Sequence, residues 1–240
     1  MSGKNIPLEE RIIFALDMDS VSEAEMWVKR LESRVRFFKV GLQLFMASWF
    51  TVIDMILARD LKVMCDLKFF DIPETVKLAV AELSKRNITF ATVHGNRPIV
   101  EAAASAKGDM KILAVTVLTS FDEGDMKEMG LTGSVSDMVM RRAKSSIENG
   151  CDGVVCSGME ARALRESLGR DFLMVTPGIR PEADARTSVD DQRRIVTAEK
   201  AILSGADHLV VGRPISRAKD PLNVVESMQE EIRRGLLAKG

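Results

Sequence analysis

The sequence predicts an α/β protein built as a single (β/α)8 barrel, a TIM barrel, and three observations lead to this fold class. The chain has 240 residues, close to the ~250 typical of one such barrel. Eight short apolar segments rich in Val, Ile, Leu and Phe recur along it, nearly continuous rather than alternating, as in strands covered on both faces. Helical segments separate them without a linker or low-complexity stretch, so we expect one domain over residues 1–240.

The elements follow one another in a regular order. The predicted strands are IIFALD from Ile12, FFKVG from Phe37, VMCDLK from Val63, FATVHG from Phe90, KILAVTVL from Lys111, GVVCS from Gly153, FLMVTPG from Phe172 and HLVVGR from His208. Helix starts are indicated by capping patterns at Ser22 with Glu25 and at Asp71 with Pro73 and Glu74, and by apolar residues at helical spacing after Ser136, Met159, Thr197 and Pro221. An open doubly wound sheet is the alternative, but the first strand ends in LDMDS, without that fold's glycine-rich fingerprint.

Composition excludes several classes of function. The net charge is −1 and the pI about 6.2, so the chain lacks the basic field that nucleic-acid binding needs. Residues 41–58 are mostly apolar, but Asp54 at mid-segment favours a helix buried against a sheet over a membrane span. Cys65 and Cys156 lie in apolar runs and are expected to be buried small hydrophobes. The polar N-terminus resembles no signal peptide, and we expect a cytoplasmic protein.

Polar residues gather at the carboxyl ends of the predicted strands, where barrels of this kind carry their active sites. In strand order these residues are Asp17, Lys39, Asp66, Lys68, Asp71, His94, Thr119, Ser120, Pro177, Gly178, Gly212 and Arg213. This asymmetry between the two ends of the barrel indicates a functional site at one rim.

The third strand carries the most specific feature. Asp66 and Lys68 are two residues apart, so their side chains should face the same way, into the barrel mouth. Lys39 from the second strand completes a Lys–Asp–Lys array that Asp71 could extend, and each charge would hold its neighbours ionised. An ammonium over a reacting carbon can stabilise a carbanion and then protonate it. Each of these residues also has a purely structural interpretation. Asp17 could be a solvated residue at the rim, and Asp71 could be a helix cap. The array as a whole could be a structural ion-pair network.

The loops after the seventh and eighth strands predict a phosphate site. They read TPGIRP and VGRPIS, in the position where barrels of this architecture usually bind phosphate. Gly178 and Gly212 allow a ligand to approach the backbone closely, while Arg213, and Arg180 as a second candidate, supply cations. Ordinary turns after the strands are the alternative.

Taken together, these motifs resemble the orotidine 5'-monophosphate decarboxylases. In chain order the matching segments are ALD, KVG, DLKFFDIPET, VHG, AVTVLTS, DGVVCS, TPGIRP, DQRR and VGRPI. They cover essentially the whole chain, and DxKxxDIPxT is the most specific of them. Two departures, Phe70 where the family often has His and GNRPIV after the histidine motif, do not touch the charge array.

The resemblance implies a role for each residue. Lys39, Asp66, Lys68 and Asp71 would form the catalytic charge array, with Asp66 near the substrate carboxylate and Lys68 protonating C6. Substrate binding would fall to Asp17 and Lys39 at the ribose, Thr119 and Ser120 at the pyrimidine, and Pro177, Arg180, Gln192, Gly212 and Arg213 around the phosphate. Asp71, Ile72 and Thr75 would complete the site of the other subunit in a homodimer. His94 is expected to support the site rather than act as a base.

The resemblance further implies that orotidine 5'-monophosphate is converted to uridine 5'-monophosphate and CO2 without metal, flavin or pyridoxal. Two rivals remain. A magnesium-dependent sugar-phosphate decarboxylase or aldolase of the same barrel superfamily would need a carboxylate where this chain has Lys39. A non-catalytic nucleotide-binding barrel would not need both Lys39 and Lys68 beside Asp66.

Overall fold

A computed structural model describes residues 4–182 and 196–239 of the chain. Eight parallel strands close into a barrel in which the first strand pairs with both the second and the last. The barrel strands are β1 Ile12–Leu16, β2 Phe37–Gly41, β3 Lys62–Phe69, β4 Phe90–His94, β5 Lys111–Val115, β6 Gly153–Val155, β7 Leu173–Thr176 and β10 His208–Val211. Two further short strands, β8 Ile179–Arg180 and β9 Val196–Thr197, pair in parallel outside the barrel. The predicted fold class is confirmed, and all eight predicted strands are present.

Helices follow the strands and cover the outside of the barrel. They are α1 Leu8–Arg11, α2 Val21–Leu31, α3 Leu42–Ser48, α4 Thr51–Leu57, α5 Pro73–Ser84, α6 Arg97–Ala106, α7 Glu123–Glu128, α8 Val135–Glu148, α9 Ala161–Leu168, α10 Ala198–Leu203, α11 Arg213–Ser216 and α12 Pro221–Leu237. Outward-facing strand residues and inward-facing helix residues form one large hydrophobic layer between sheet and helices. This double covering explains why the strands are apolar without alternation.

A second, smaller core fills the barrel itself. Its members alternate along the strands with the outward-facing residues; they are Ile13, Phe37, Met64, Phe90, Leu113 and Val175. His208 lies among them, with its ring centroid 5.6 Å from that of Phe37 and 5.2 Å from that of Phe90. Positions two residues nearer the carboxyl ends of the same strands point into the barrel mouth, for example Lys39 after Phe37 and Asp66 after Met64.

Two predicted helix caps are wrong. Helix α2 is capped by Ser20, whose hydroxyl accepts from the backbone N–H of Glu23 at 3.3 Å, and not by Ser22, which lies inside the first turn. The residue that precedes α5 is Ile72, because Pro73 begins the helix, so Asp71 lies one position too early to cap it. The Asp71 carboxylate instead accepts from the N–H of Ile72 at 2.6 Å.

Residues 41–58 form two short helices, α3 and α4, rather than the single buried helix that the sequence predicts. The chain breaks between them at Trp49, whose φ of 50° is incompatible with a continuing helix. No helix among the described residues is both long and apolar enough to cross a membrane. The three cysteines are buried and free, as expected for Cys65 and Cys156.

Candidate active site

A cavity of about 220 Å³ opens at the carboxyl ends of the barrel strands. Each barrel strand except β4 and β7 contributes inward-facing residues to it, and Pro177, which follows β7, also lines it. The cavity lies at the rim for which the sequence predicts the site. The lining residues are Ala15, Asp17, Lys39, Met64, Asp66, Lys68, Val115, Val117, Leu118, Thr119, Val155, Cys156, Pro177, Arg180, Val210, Gly212 and Arg213. Charged groups occupy the β1–β3 side and the region after β7 and β10, while the β5–β6 side is apolar.

Four charged side chains form a continuous array on the β1–β3 side. The Lys39 ammonium lies 2.9 Å from an Asp17 carboxylate oxygen and 3.5 Å from Oδ2 of Asp66. The Lys68 ammonium lies 2.9 Å from the same Asp66 oxygen. Asp66 therefore sits between two ammonium groups, and the order along the array is Asp17, Lys39, Asp66, Lys68.

The array keeps buried charges ionised. Burial would lower the pKa of Lys39, but Asp66 and Asp17 outweigh it and raise that pKa above its ordinary value. Burial would likewise raise the pKa of Asp66, but Lys39 and Lys68, with a hydrogen bond from Thr92, lower it. The site therefore presents fixed charges at neutral pH, which an electrostatic catalyst requires.

The backbone of β3 is irregular where it carries Lys68. Lys68 has a φ of 50°, in the left-handed region, and the pairing of β3 with β4 shifts register between Cys65 and Phe69. From the sequence, Asp66 and Lys68 are predicted to lie together because side chains two residues apart on a regular strand face the same way. They do lie together, but through a bulged strand end that the sequence does not reveal.

Glycines make room beside the charges. A Cβ atom at Gly41 would lie 3.1 Å from the Lys39 ammonium nitrogen. Such a close contact would displace an ammonium group that is held by its own hydrogen bonds. A Cβ at Gly212 would lie 3.3 Å from the Cβ of Ala15 on the neighbouring strand. The absence of side chains at these two positions keeps the mouth open near Asp17.

The predicted phosphate region is assembled at the mouth. Pro177, Arg180, Gly212 and Arg213 all line the cavity, and Gly178 makes the turn out of β7 with a φ of 78°. Arg180 is buried and donates to the carbonyl of Ile179 at 3.0 Å. Gln192, the remaining predicted phosphate residue, lies outside the described residues.

Four predicted site residues do not line the cavity of their own chain. Asp71, Ile72 and Thr75 are exposed on the segment that leaves β3 and enters α5. Ser120 is exposed next to Thr119, which does line the cavity. The prediction that both end the fifth strand is wrong: β5 stops at Val115, because the chain turns out of the sheet there.

His94 ends β4 beside the array. Burial, with the positive charges of Arg142 and Lys68, lowers its pKa below the ordinary value, so the ring is neutral at pH 7. The ring packs against Phe70 with a centroid distance of 4.8 Å. His94 is not among the described residues that line the cavity.

Some residues around the site were not identified from the sequence. The apolar wall is built by Val155 of β6, by Cys156 just after β6 and by Leu118 beyond β5. A pattern of apolar residues alone does not distinguish a cavity wall from a core. Thr92 also went unnoticed. Its signal was available, because it is a polar residue within an apolar strand on the same face as His94.

Comparison with known proteins gives a consistent result. Residues 10–228 match the model of the orotidine 5'-phosphate decarboxylase / HUMPS family. The chain is 50% identical over 234 residues to the orotidine 5'-phosphate decarboxylase of Methylococcus capsulatus, covering 97% of this chain and 96% of that protein. It is 44% identical to the enzyme of the same name from Xanthomonas axonopodis pv. citri, over the full length of both.

A solved structure agrees with the sequence relatives. The crystal structure of orotidine 5'-phosphate decarboxylase from Lactobacillus acidophilus superimposes with a TM-score of 0.81 and 34% sequence identity, over 93% of this chain and 99% of that one. On these grounds the chain belongs to the orotidine 5'-phosphate decarboxylase / HUMPS family.

Proposed function

We propose that this protein decarboxylates orotidine 5'-monophosphate to uridine 5'-monophosphate and CO2, the last step of de novo UMP biosynthesis. The observation that carries the proposal is the array in which Asp66 lies between the ammonium groups of Lys39 and Lys68. The full-length relatives that are 43–50% identical all have the name of this enzyme. The same cavity has cations after β7 and β10 to receive a phosphate.

The proposed mechanism uses fixed charges at the reacting carbon. The substrate carboxylate would lie near Asp66, and the bond from C6 to that carboxylate carbon would break with its electron pair left on C6. The Lys68 ammonium would stabilise the resulting carbanion and then transfer a proton to C6. A partly apolar cavity strengthens these electrostatic interactions relative to water.

The remaining cavity residues would bind and orient the nucleotide. Asp17 and Lys39 would hold the ribose, with Thr119 at the pyrimidine edge. Arg180, Gly212 and Arg213 would bind the phosphate, where a guanidinium can donate two parallel hydrogen bonds. Gln192 is proposed for the same region from the sequence alone, as is Ser120 for the pyrimidine.

We propose that no metal or organic cofactor takes part. In the sugar-phosphate members of the superfamily, a divalent cation needs carboxylates at this rim. Here the Lys39 ammonium already occupies the space between the carboxylates of Asp17 and Asp66 and contacts both. A divalent cation bound between these carboxylates would be repelled by that ammonium.

The assay for this function is incubation with orotidine 5'-monophosphate after exhaustive chelation with EDTA, following the loss of orotate absorbance. Turnover should be the same with and without chelation. A chelated protein that is inactive, and that Mg²⁺ restores, would move the assignment to the metal-dependent sugar-phosphate relatives. Binding of the nucleotide without any turnover would favour the non-catalytic barrel.

We further propose that the enzyme is a homodimer with shared active sites. One face of the barrel, formed by α3, the residue after it, the β3–α5 segment and α5, exposes several large apolar side chains: Leu42, Met46, Trp49, Phe70, Ile72 and Leu78. A patch of this kind is unusual on a monomer and typical of an association surface. Asp71 and Thr75 are exposed on the same face, where they could reach a partner's cavity.

Mixing two inactive variants tests the shared site. Lys68→Ala and Asp71→Ala homodimers should each be inactive, whereas a heterodimer would combine a native Lys68 with a native Asp71 in one of its two sites. After subunit exchange, activity should return to about a quarter of the wild-type level for random pairing. Verified heterodimers that stay inactive would place Asp71 in its own subunit's site or limit it to a structural role.

We propose a cytoplasmic location, because the three cysteines are free and buried within apolar surroundings. Burial raises the pKa of both Cys65 and Cys151 to about 12, so these thiols are unreactive at neutral pH. Cell fractionation that finds the activity outside the cytoplasm would overturn this location.

A further inference from the structure

Thr92 lies at the centre of β4, directly beneath the charge array. Its side chain is fully buried, and it faces the barrel interior with Phe90 and His94, two residues away on either side. The hydroxyl oxygen is 2.9 Å from Oδ1 of Asp66 and 3.0 Å from the backbone nitrogen of Lys68. It therefore bridges two adjacent members of the array.

The directions of these two hydrogen bonds are fixed by chemistry. A backbone N–H can only donate, so the Thr92 oxygen accepts from Lys68. A carboxylate ionised at neutral pH can only accept, so the Thr92 hydroxyl donates its single proton to Asp66. The two hydrogen bonds therefore run in the same direction: the Lys68 N–H donates to the Thr92 hydroxyl, and the Thr92 hydroxyl donates to the Asp66 carboxylate.

We propose that Thr92 is a positioning residue for the decarboxylation, because its hydroxyl fixes both the Asp66 carboxylate and the backbone of Lys68. This inference rests on the proposed function. Thr92 does not line the cavity, so it would act through its two neighbours and not on the substrate.

Each hydrogen bond has a separate effect on geometry. With Oδ1 of Asp66 held by Thr92, Oδ2 is the oxygen turned towards Lys39 and Lys68, and it contacts both ammonium groups. The bond to the Lys68 N–H supports a residue whose φ of 50° a lysine seldom adopts. Backbone strain at a functional side chain persists only where the surroundings enforce it, and Thr92 is one of the groups that enforce it here.

The test uses Thr92→Val, which keeps the shape of the side chain and removes the hydroxyl. Hydrogen bonds to a charged group are among the stronger ones in proteins, so kcat on orotidine 5'-monophosphate should fall by about 10- to 100-fold. KM should change much less, because the phosphate and ribose contacts remain. Thr92→Ser keeps the hydroxyl and should restore most of kcat.

A matched control is available on the neighbouring strand. Thr116, just beyond β5, is also fully buried, and its hydroxyl donates to the carbonyl of Val155 at 3.0 Å. Thr116→Val removes a buried hydroxyl just beyond the end of β5, the neighbour of β4, without touching the array. It should lower the melting temperature by an amount similar to Thr92→Val while kcat stays near wild type.

The pH profile provides a readout that loss of stability alone would not change. Asp66 is faced by Lys39 from β2 and Lys68 from β3, with Asp17 behind Lys39 and His94 at the end of β4. Loss of the Thr92 hydrogen bond removes one of the groups that lower the pKa of Asp66. Protonation of Asp66 should then begin at a higher pH, so the acidic limb of kcat should move to higher pH in Thr92→Val and return in Thr92→Ser.

The outcomes separate this inference from the function on which it rests. Wild-type protein without turnover of orotidine 5'-monophosphate would contradict the proposed function, whatever Thr92 does. Active wild-type protein, together with a folded Thr92→Val that keeps kcat and its pH profile, would overturn the positioning role alone. An equal loss of kcat in Thr116→Val would also overturn it, because the effect would then follow from any buried hydroxyl.

Discussion

At the scale of single residues, the site depends on charges that would be unstable alone. Lys39 and Asp66 are both largely buried, with side-chain exposures of 10% and 11%. A buried charge without a partner costs several kcal/mol, and each of these residues supplies the partner that the other needs. Removing either would leave the other as an uncompensated charge, so variants at Lys39 or Asp66 combine loss of chemistry with loss of stability.

Arg213 allows a cleaner test at this scale because it lies at the proposed phosphate end of the cavity. Arg213→Ala should lower kcat/KM on orotidine 5'-monophosphate by about 10- to 1000-fold, since one or two charge-assisted hydrogen bonds are lost. On orotidine, which has no phosphate, the same variant should decarboxylate at nearly the wild-type rate. Steady-state kinetics on both substrates make this comparison.

Arg217, one helical turn later and exposed, is the matched control. Arg217→Ala should leave both substrates unaffected, because Arg217 is not among the residues that line the cavity. If Arg213→Ala loses as much activity on orotidine as on the nucleotide, Arg213 supports the fold or the charge array instead of the phosphate.

At the scale of elements, helix α12 holds the segment after β7 against the barrel. Glu231 on α12 is buried, and its two carboxylate oxygens accept from the backbone N–H groups of Glu182 and Ala198, at 3.0 and 3.1 Å. Glu182 lies two residues after the end of β8, and Ala198 directly follows β9. One side chain therefore anchors both strands of the small sheet that carries Arg180.

Glu231→Gln tests this anchor. An amide has one acceptor oxygen, and its NH2 group would face a backbone donor, so the free energy of unfolding should fall by about 1–3 kcal/mol. Glu230→Gln is the control, because Glu230 is exposed and, among the described residues, pairs only with Arg233 one turn away. Urea denaturation measures both variants; equal, small effects would show that α12 does not hold the sheet through Glu231.

Strand positions could be predicted from the sequence because both faces of each strand are apolar, and this signal is strong. Local features of the backbone were harder to predict from the sequence. The cap at Ser20 and not Ser22 depends on where the chain leaves β1, and the left-handed φ of Lys68 depends on contacts with β4. Thr119 was placed at a strand end but reaches the cavity from a turn. Charged and glycine residues at strand ends were informative, whereas a buried hydroxyl such as that of Thr92 gave only a weak signal.

At the scale of the whole molecule, the barrel interior has two parts. Apolar side chains such as Phe37 and Phe90 fill its floor, and charged side chains line its mouth. His208 is buried in the floor, and its Nδ1–H donates to the carbonyl of Glu10 at 2.9 Å. Burial lowers the pKa of His208 to about 4, from an ordinary value of 6.5, although the Glu10 hydrogen bond and Asp207 oppose the shift. The folded barrel therefore holds this ring neutral under conditions in which the unfolded chain protonates it.

This difference predicts a loss of stability in acid. Because the folded pKa is lower, the contribution is fully present above pH 6.5 and is lost as pH falls from there to about 4. Its size is about 3 kcal/mol in the free energy of unfolding. In His208→Gln this part of the pH dependence should disappear. His94→Gln removes the other of the two histidines and measures how much that residue contributes to the pH dependence of the free energy of unfolding. An unchanged acid dependence in His208→Gln would contradict a neutral buried His208 ring.

In the proposed mechanism, Lys68, held beside Asp66 at the barrel mouth, protonates the carbon from which CO2 departs. Turnover of orotidine 5'-monophosphate by Lys68→Ala tests it most directly, with circular dichroism and uridine 5'-monophosphate binding as checks on the fold and the cavity. We expect a folded protein that still binds the product but loses at least about 100-fold in kcat, which is the lower end of the effect of a positioned proton donor. A folded Lys68→Ala variant that decarboxylates at close to the wild-type rate would contradict it.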